Sequence, residues 1–556
     1  NLPMVLQLNG KQDMSALQFS VDDLLVRHQS LRVVFEEQDG NLMQRTLPAS
    51  AFLLEFDPLD NPDPLVLCKK ITNEISKPFD LETGPLLRGK LIQLSTEEHV
   101  LIVVLHHIVT DDWSMQVMVE ELVARYSGYA NQQPVKLDEL AIQYTDYAAW
   151  QRQWMESGER QRQLDYWQKK LAGEQRLLDL PVDYPRPVVP THAAGQVTIN
   201  VDNELAGKIK NYARAEGVSL FVFLLAAFQL LLHRYSGDTT IRVGVPIANR
   251  TRPETHRTIG FFVNTQVLQT DFSTDVNFRE LLQQVKQTAQ EAQLHQDLPF
   301  EQLVAALQPE RLIGHTPLFQ VMFNHLVDHA NNSAAPAAPA LLDVKPFSWS
   351  NPITEFDLVL DTHEYAQGIA ASLTYASELF AEATAARMAQ HWLNIIKSVI
   401  ENSNKSFREI NLLDQHEQHQ LLQEWNSQQT RLEHPVCIQQ LFENCVEKNG
   451  NALAVIGASL INTDTTQMTS LSYRELNIQA NRLAHRLRES GVGPDIAVGI
   501  AVKRSVEMLV AMLAILKAGG TYVPLDPEYP ADRLTYMMEN SALRVLLTQT
   551  SLQQQF

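Results

Sequence analysis

A short apolar run followed by a cluster of polar residues constrains the fold of this chain most strongly. Residues 100–105 are continuously apolar, which is typical of a buried strand. After a polar turn, apolar residues recur at near-helical spacing from Trp113 to Tyr126, and Asp111 and Asp112 stand where N-terminal caps are expected. Similar alternations recur around residues 241–247 and 358–375. The sequence therefore predicts a mixed α/β (α+β) chain in two or more lobes.

The polar turn itself carries His106, His107 and Asp111. Because neighbouring strand residues point to opposite faces, only one of the two histidines can face a cleft. A buried Asp111 would need an Arg or Lys partner. Three interpretations remain open: two satisfied structural histidines with a capping Asp, a metal site, or a histidine that acts as general base or positioning group for a nucleophile. Two histidines on opposite faces cannot chelate one ion, so we predict no metal.

Composition narrows the range of partners. The chain has 45 Lys and Arg against 65 Asp and Glu, a net charge of −20, which argues against binding to nucleic acid. Its three cysteines, Cys68, Cys437 and Cys445, are too few for a disulfide framework and suggest buried, reduced thiols. No apolar run reaches about 18 residues and the start does not resemble a signal peptide. We therefore expect a cytoplasmic protein without membrane contact.

Proline-rich and polar stretches divide the chain. Residues 180–190 contain four prolines and predict an extended connector. Residues 331–340 are rich in Ala and Pro and predict a loop or strap. The segment 412–434 is rich in Gln and Glu and precedes a new pattern of helices and strands. We therefore predict lobes at residues 1–180 and 181–415, a linker at 416–434 and a further domain at 435–556.

The polar turn resembles a known motif. The pattern His106-His107-x-x-x-Asp111-x-Trp113-Ser114 is similar to the core motif of condensation domains of nonribosomal peptide synthetases. Further stretches resemble other motifs of that family, in the family's order, at residues 27–35, 144–150, 259–268, 295–303 and 317–323. An ordered series of motifs is much more specific than any one of them.

The end of the chain resembles a second family. Residues 471–477 and 516–526 are similar to the first two core motifs of amino-acid-activating adenylation domains. That family's phosphate loop, later ATP-contacting motifs and catalytic Lys do not occur in this sequence, nor does a carrier-domain attachment serine. We therefore expect a truncated adenylation fragment that does not activate amino acids, within a piece of a longer protein.

The resemblance implies a fold and an activity. Condensation domains consist of two chloramphenicol-acetyltransferase-like lobes in a V-shaped pseudodimer with a tunnel between them. As acyltransferase-type enzymes, they form an amide bond between a donor acyl or peptidyl thioester and the amine of an acceptor aminoacyl thioester. Both substrates arrive on the phosphopantetheine arms of upstream and downstream carrier domains. The chain itself is therefore expected to bind no cofactor and to contact carriers and neighbouring synthetase domains.

The resemblance also implies residue roles. His107 would face the tunnel, either as a base or as a group that positions the amine, and His106 would be structural. Asp111 would form a buried ion pair with an Arg that fixes the turn, for which Arg27 and Arg32 are the candidates. Trp113 and Ser114 would support the motif. Asn264 would line the tunnel, with a satisfied structural amide as the alternative.

One position departs from the family pattern, which usually has Gly where this chain has Asp112. Asp112 could simply cap the following helix. It could instead hold His107 protonated or narrow the tunnel. An Asp at this position also occurs in inactive, condensation-like modules that recruit partner enzymes, although those lose the second His. An epimerase of the same fold is a further alternative, disfavoured by the condensing pattern of residues 259–268, which leans towards a D-configured donor.

Overall fold

The computed structural model describes the chain except residues 11, 50–51, 60–62, 134, 174–176, 310–313, 328–342, 348–352, 367, 428–435 and 463–464. The Ala/Pro-rich stretch at 331–340 and residues 428–434 of the predicted linker lie outside the described residues. The chain forms two compact units, unit 1 at Asn1–Gln423 and unit 2 at Glu424–Phe556. Unit 1 has a mixed α/β fold, as predicted.

The first part of unit 1 contains six strands and five helices among the described residues. The strands are β1 (Leu2–Asn9), β2 (Val33–Gln38), β3 (Asn41–Thr46), β4 (Glu55–Pro58), β5 (Leu87–Gln93) and β6 (Glu98–Leu105). The helices are α1 (Met14–Arg27), α2 (Pro64–Ser76), α3 (Asp112–Ala130), α4 (Tyr144–Trp154) and α5 (Arg160–Lys170). Short 3₁₀ turns follow α1 at Gln29–Arg32 and β6 at His107–Val109.

The second part of unit 1 contains seven strands and six helices in the portion that the structure describes. The strands are β7 (Ala194–Ile199), β8 (Thr240–Ile247), β9 (Asn264–Asp271), β10 (Val321–Val327), β11 (Asp343–Pro346), β12 (Leu358–Tyr365) and β13 (Gly368–Ala376). The helices are α6 (Asn203–Ala215), α7 (Leu220–Ser236), α8 (Phe278–Gln293), α9 (Phe300–Leu307), α10 (Glu382–Glu401) and α11 (Gln415–His419). Residues 180–190 contain neither helix nor strand, as their prolines predict.

Two sheets organise unit 1. One has the order β11-β1-β6-β5-β4 and the other β7-β13-β12-β10-β8-β9. Strand β11 belongs to the second part of the chain by sequence but pairs antiparallel with β1 of the first, with Leu8 opposite Val344. The two parts of unit 1 are therefore joined by a shared sheet as well as by the connector.

Strand β6 explains the apolar run that the sequence presents. Its alternate residues Leu101, Val103 and Leu105 pack into a core with α1 and α3. Val100, Ile102 and Val104 pack into a second core with α2. Because β6 is central in its sheet and covered on both faces, it carries no polar face. The strand therefore delivers its last residue, and the turn after it, at a rigid point of the fold.

The second sheet has its own core. Helix α7 contributes eleven buried apolar residues to it, and Ser219 caps that helix by accepting from Val222 N. Gly237 ends α7 with φ +74°, a left-handed conformation that favours glycine. Among the described helices none is by itself long and apolar enough to cross a membrane; α6 and α7 pass that test only as a pair bent by 103°.

Unit 2 is built separately. Its strands are β14 (Leu453–Asn462), β15 (Thr465–Ser472), β16 (Ala497–Ala501), β17 (Thr521–Pro524) and β18 (Val545–Thr548), and its helices are α12 (Ile438–Asn449), α13 (Tyr473–Glu489), α14 (Val506–Ala518) and α15 (Ala531–Asn540). Strands β17, β16 and β18 form a parallel sheet, and β14 pairs with β15. The parallel order places a helix in each crossover, as in other α/β folds.

The expectation of buried thiols is wrong. Cys437 and Cys445 are exposed and Cys68 is partly exposed. Cys437 precedes α12 and Cys445 lies on it, and no residue of this helix is buried. Local composition does not reveal which short helix stays on the surface, so the preference of Cys for cores gave the wrong prediction.

Candidate active site

The turn after β6 orients the two histidines differently. His106 is half-buried, and its Nδ1 accepts a hydrogen bond of 3.1 Å from Ile108 N. Its ring also packs edge-on against Phe79 at 6.0 Å between centroids. His106 therefore caps the 3₁₀ turn at His107–Val109, and this bond occupies the nitrogen that would otherwise be available for chemistry.

His107 is exposed and makes one hydrogen bond, between its Nδ1 and the carbonyl oxygen of Thr110 at 2.8 Å. A carbonyl can only accept, so Nδ1 carries the proton in this bond. The neutral imidazole then has a lone pair on Nε2, and no described residue bonds to that atom. The ring of Phe261 meets the imidazole at 5.1 Å and 83°, in an edge-to-face contact.

Asp111 is the structural centre of the turn. Its Oδ1 accepts from Ser114 N at 2.8 Å, which caps α3. Its Oδ2 accepts from Phe262 N at 2.9 Å and Val263 N at 3.2 Å, two amides of the segment between β8 and β9. Buried carboxylates need this kind of complete satisfaction, since each unpaired lone pair is costly away from water.

The charge partner of Asp111 is Arg250. Its Nη2 lies 3.0 Å from Asp111 Oδ1, and the two side chains are only 1% and 4% exposed. The same guanidinium donates to Ser114 Oγ at 2.7 Å and to Thr258 O at 2.8 Å, and it lies 4.0 Å from the ring centre of Phe262. A buried pair with this many bonds fixes the turn against the 250–263 segment.

The two arginines predicted from the sequence do not contact Asp111. Arg27 pairs with Glu121 at 3.2 Å, and Arg32 donates to the carbonyl oxygens of Leu25 and Leu47. Both therefore tie down the end of α1 and its following turn rather than the motif. The prediction is wrong because the true partner lies 139 residues further along the chain in an irregular segment, where no local pattern indicates it.

Trp113 and Ser114 support the turn from α3. Trp113 Nε1 donates to His256 O at 2.9 Å. Ser114 Oγ donates to Gly260 O at 2.9 Å and accepts from Gly260 N at 3.1 Å. Both side chains therefore hold the segment that also carries Arg250, and the first turn of α3 and residues 250–263 form one network.

Asp112 does not cap α3, because Asp111 makes the capping bond. Its own side chain is exposed to solvent and makes no hydrogen bond or ion pair with a described residue. Partial desolvation by the surrounding protein raises the pKa of Asp112, with His107 acting in the opposite direction and Asp111 in the same direction. The Asp112 carboxylate thus lacks the arginine partner and the backbone hydrogen bonds that Asp111 has.

A further carboxylate, Asp361 on β12, belongs to the same surroundings. Its pKa is raised first by burial and further by the charge of Asp112, while a hydrogen bond from Asn324 Nδ2 at 2.7 Å lowers it. The sequence analysis missed Asp361. In the sequence, Asp361 is only a single acidic residue within an alternating strand pattern. Such residues are common in strands, so the pattern does not indicate a site.

Asn264, at the start of β9, uses its amide fully. Its Nδ2 donates to Gln296 O at 2.9 Å and Leu298 O at 2.8 Å, and its Oδ1 accepts from Phe300 N at 3.0 Å. These bonds tie β9 to the start of α9. The arrangement is that of a structural amide, the alternative to tunnel lining.

The site therefore has an exposed imidazole with a free ring nitrogen, on a turn braced by a buried ion pair between two sheets, which suits proton transfer or amine positioning at a reacting carbonyl. Among the described residues, no group of three or more His, Cys, Asp or Glu could hold a metal ion.

Comparison with known families gives the class of this chain. Residues 1–422 match the family model for the condensation domain, and residues 442–555 match that for AMP-binding enzymes. The chain belongs to the condensation domain family of nonribosomal peptide synthetases, enzymes of acyltransferase type whose general function is peptide bond formation.

Individual relatives agree with this assignment. Tyrocidine synthase 3 from Brevibacillus parabrevis is 38% identical over 552 residues, which are 99% of this chain and 8% of that protein. Malpibaldin synthetase from Mortierella alpina is 38% identical over 551 residues, 99% of this chain and 10% of that protein. The chain thus spans a small part of the curated relatives that it matches.

Solved structures share the fold. The X-domain from teicoplanin biosynthesis, solved in complex with OxyB, aligns with a TM-score of 0.68 and 28% identity, over 74% of this chain and 91% of that one. A four-domain nonribosomal peptide synthetase bound to AMP and glycine aligns with a TM-score of 0.75 and 22% identity, over 99% of this chain and 42% of that one. The sequence-based prediction of a condensation domain followed by an adenylation fragment is confirmed.

Proposed function

We propose that unit 1 joins a donor acyl or peptidyl thioester to the amine of an acceptor aminoacyl thioester. The acceptor nitrogen attacks the thioester carbonyl carbon, the C–N bond forms and the C–S bond breaks. The proton of the amine passes to Nε2 of His107 and from there to the departing sulfur, so that the donor arm leaves as a thiol. The observation that carries the proposal is the Nδ1 bond of His107 to Thr110 O, which leaves Nε2 free to accept a proton.

The remaining motif residues have supporting roles in this proposal. His106 and the Asp111–Arg250 pair keep the turn in place, while Trp113 and Ser114 anchor it to residues 250–263. Much of the rate enhancement then comes from orienting two tethered reactants, which needs a rigid turn more than a strong base. We propose residues 1–180 and 181–415 as the two lobes that enclose the substrates.

Partners follow from the same chemistry. The donor arrives on the phosphopantetheine arm of an upstream carrier domain and the acceptor on that of a downstream one, so the chain needs no cofactor of its own. The connection between unit 1 and the adenylation fragment at 435–556 lies within the linker that we propose at residues 416–434. The protein acts in the cytoplasm beside neighbouring synthetase domains, without nucleic acid or membrane contact.

A single-turnover assay tests this function. The protein is mixed with donor-loaded and acceptor-loaded carriers, and intact-mass spectrometry follows transfer of the donor mass to the acceptor. We expect transfer with the wild type, none with His107→Ala, and normal transfer with the control His416→Ala, which removes an exposed imidazole from α11. Equal transfer by wild type and His107→Ala would overturn the role of His107.

A recruitment module is the second candidate. Two observations favour it: the X-domain that aligns with 74% of this chain was solved in complex with OxyB, and Asp112 stands where the condensing pattern usually has Gly. Under this candidate the wild type transfers nothing, and Asp112→Gly gains transfer. Transfer by the wild type at the rate of Asp112→Gly would exclude it.

A further inference from the structure

The backbone of residues 260–263, which lies beside His107, is held by four hydrogen bonds to Asp111 and Ser114. Residues 260–263 lie between β8 and β9, yet their contacts are with the turn and helices of the first sheet. Gly260 exchanges two bonds with Ser114 Oγ, and the amides of Phe262 and Val263 donate to Asp111 Oδ2. The backbone on both sides of Phe261 is therefore fixed by the histidine motif itself.

The side chain of Phe261 contacts that motif at His107. Its ring lies 5.1 Å from the imidazole of His107 at an interplanar angle of 83°. The bond from Nδ1 to Thr110 O holds one side of the imidazole. The ring of Phe261 contacts the imidazole as well, and the two contacts together restrict the direction in which Nε2 points.

The carbonyl of Phe261 accepts a hydrogen bond from the hydroxyl of Tyr144 on α4, at 2.8 Å. The ring of Tyr144 packs directly on Gly260, where a Cβ would lie 2.2 Å from it, and meets the ring of Phe262 edge-on at 5.1 Å. Burial raises the pKa of Tyr144, so its hydroxyl is a neutral donor throughout the working pH range. Three separate contacts thus connect Tyr144 to the segment that presents Phe261.

We propose that Tyr144 and Phe261 are positioning residues for His107: the Tyr144 hydroxyl holds the Phe261 carbonyl, and the Phe261 ring keeps Nε2 of His107 directed at the incoming amine. The inference rests on the proposed function and extends it to a residue on α4 that acts on His107 through Phe261. It also gives a joint role to the sequence motifs at 144–150 and 259–268, which the reaction itself leaves unexplained.

Kinetics of four variants test the connection. Tyr144→Phe removes only the hydroxyl, and we expect kcat to fall about tenfold with KM for both carriers unchanged. Tyr147→Phe is the matched control, because this buried tyrosine of the same helix packs on Phe262 while its hydroxyl bonds to Gln151. Its kcat should stay within about twofold of the wild type. Phe261→Leu should resemble Tyr144→Phe, and the double variant should be no slower than Phe261→Leu alone.

Labelling with diethyl pyrocarbonate provides a readout that does not depend on catalysis. The rate of carbethoxylation at His107 is followed by peptide mass spectrometry, with the exposed His363 and His416 as internal references. A less restrained imidazole should react faster in Tyr144→Phe and Phe261→Leu than in the wild type, whereas Tyr147→Phe should label at the wild-type rate.

The two sets of results separate the positioning role from the proposed function. A wild type that condenses, with additive losses in the double variant or an equal loss in Tyr147→Phe, overturns the positioning role and leaves the function intact. A wild type that does not condense overturns the function, and the labelling rates then decide the positioning role. Unchanged labelling in Tyr144→Phe contradicts it.

Discussion

The two sides of the turn between β6 and α3 differ in how their charges are compensated. On the inner side, Asp111 is 4% exposed, pairs with Arg250 and accepts three backbone bonds. On the outer side, His107 and Asp112 are exposed, and Asp112 bonds to no described residue. The inner side therefore stabilises the folded turn, and the outer side leaves the His107 imidazole and the Asp112 carboxylate exposed to solvent. Substitutions on the two sides should accordingly change different properties.

The largest effect on stability should come from breaking the inner pair. Arg250→Met leaves the carboxylate of Asp111 buried without its counter-charge, and we expect the free energy of unfolding of unit 1 to fall by about 3–5 kcal/mol. Chemical denaturation followed by tryptophan fluorescence measures it. The double variant Asp111→Asn/Arg250→Met should be more stable than the sum of the single losses implies, because no uncompensated charge remains. Strict additivity would show that the two side chains are not coupled.

The outer side should give the opposite pattern. We expect His107→Ala to lower the condensation rate by about 100-fold or more, because a positioned proton acceptor contributes about that much. Its melting temperature should stay within about 1 °C of the wild type, since the side chain is exposed and makes one hydrogen bond. Single-turnover mass spectrometry and calorimetry on the same preparation test both statements, and a melting temperature several degrees lower would place His107 with the inner side.

An intermediate loss of stability should result from a substitution at Gly260, which bonds to Ser114 and packs against Tyr144. A Cβ at position 260 would lie 2.2 Å from the ring of Tyr144, so Gly260→Ala must displace that ring or the segment. We expect a loss of about 1–3 kcal/mol, the usual range for overpacking, together with reduced activity. Denaturation and turnover of Gly260→Ala can be compared with Gly207→Ala, where an added Cβ meets no atom within 4 Å. Equal stability of the two variants would contradict the close contact.

The smallest effect concerns the pH dependence contributed by Asp112. Desolvation raises its folded pKa above the ordinary value of 3.8, so between these two values the folded state binds more protons than the unfolded one. This carboxyl therefore reduces stability as pH rises through that interval. Asp112→Asn should be more stable than the wild type at pH 7 by at most about 0.5 kcal/mol, and the difference should vanish below the unfolded pKa. Melting curves from acid to neutral pH measure it; a difference that grows towards acid would contradict this sign.

The inner and outer sides also differ in how far the sequence predicts them. The strand, the turn and the helix from residue 100 to 130 follow from local patterns: an apolar run, a capping Asp and apolar residues at helical spacing. The alternation of a strand shows that only one of the two histidines can face a cleft, and the family resemblance indicates that His106 is the structural one. These features depend on neighbours within a few residues, which a single sequence displays directly.

The partners of the turn depend on tertiary structure instead. Arg250 lies 139 residues from Asp111 in an irregular segment, and Asp361 lies on a strand of the other sheet. Neither position has a local pattern that distinguishes it from other Arg and Asp residues. The same reason explains why Arg27 and Arg32, which stand near a family-like motif, were wrong candidates, and why the full use of the Asn264 amide was one of two alternatives.

The contrast between the two sides is tested most directly by measuring turnover and unfolding on matched preparations of His107→Ala and Arg250→Met. We expect His107→Ala to unfold like the wild type while transferring no donor mass to the acceptor carrier. We expect Arg250→Met to unfold at lower denaturant and, at a temperature where it remains folded, to retain measurable transfer. An Arg250→Met variant as stable as the wild type would contradict the claim that the inner side supplies stability. A His107→Ala variant that transfers at the wild-type rate would contradict the claim that the outer side carries the reactive group.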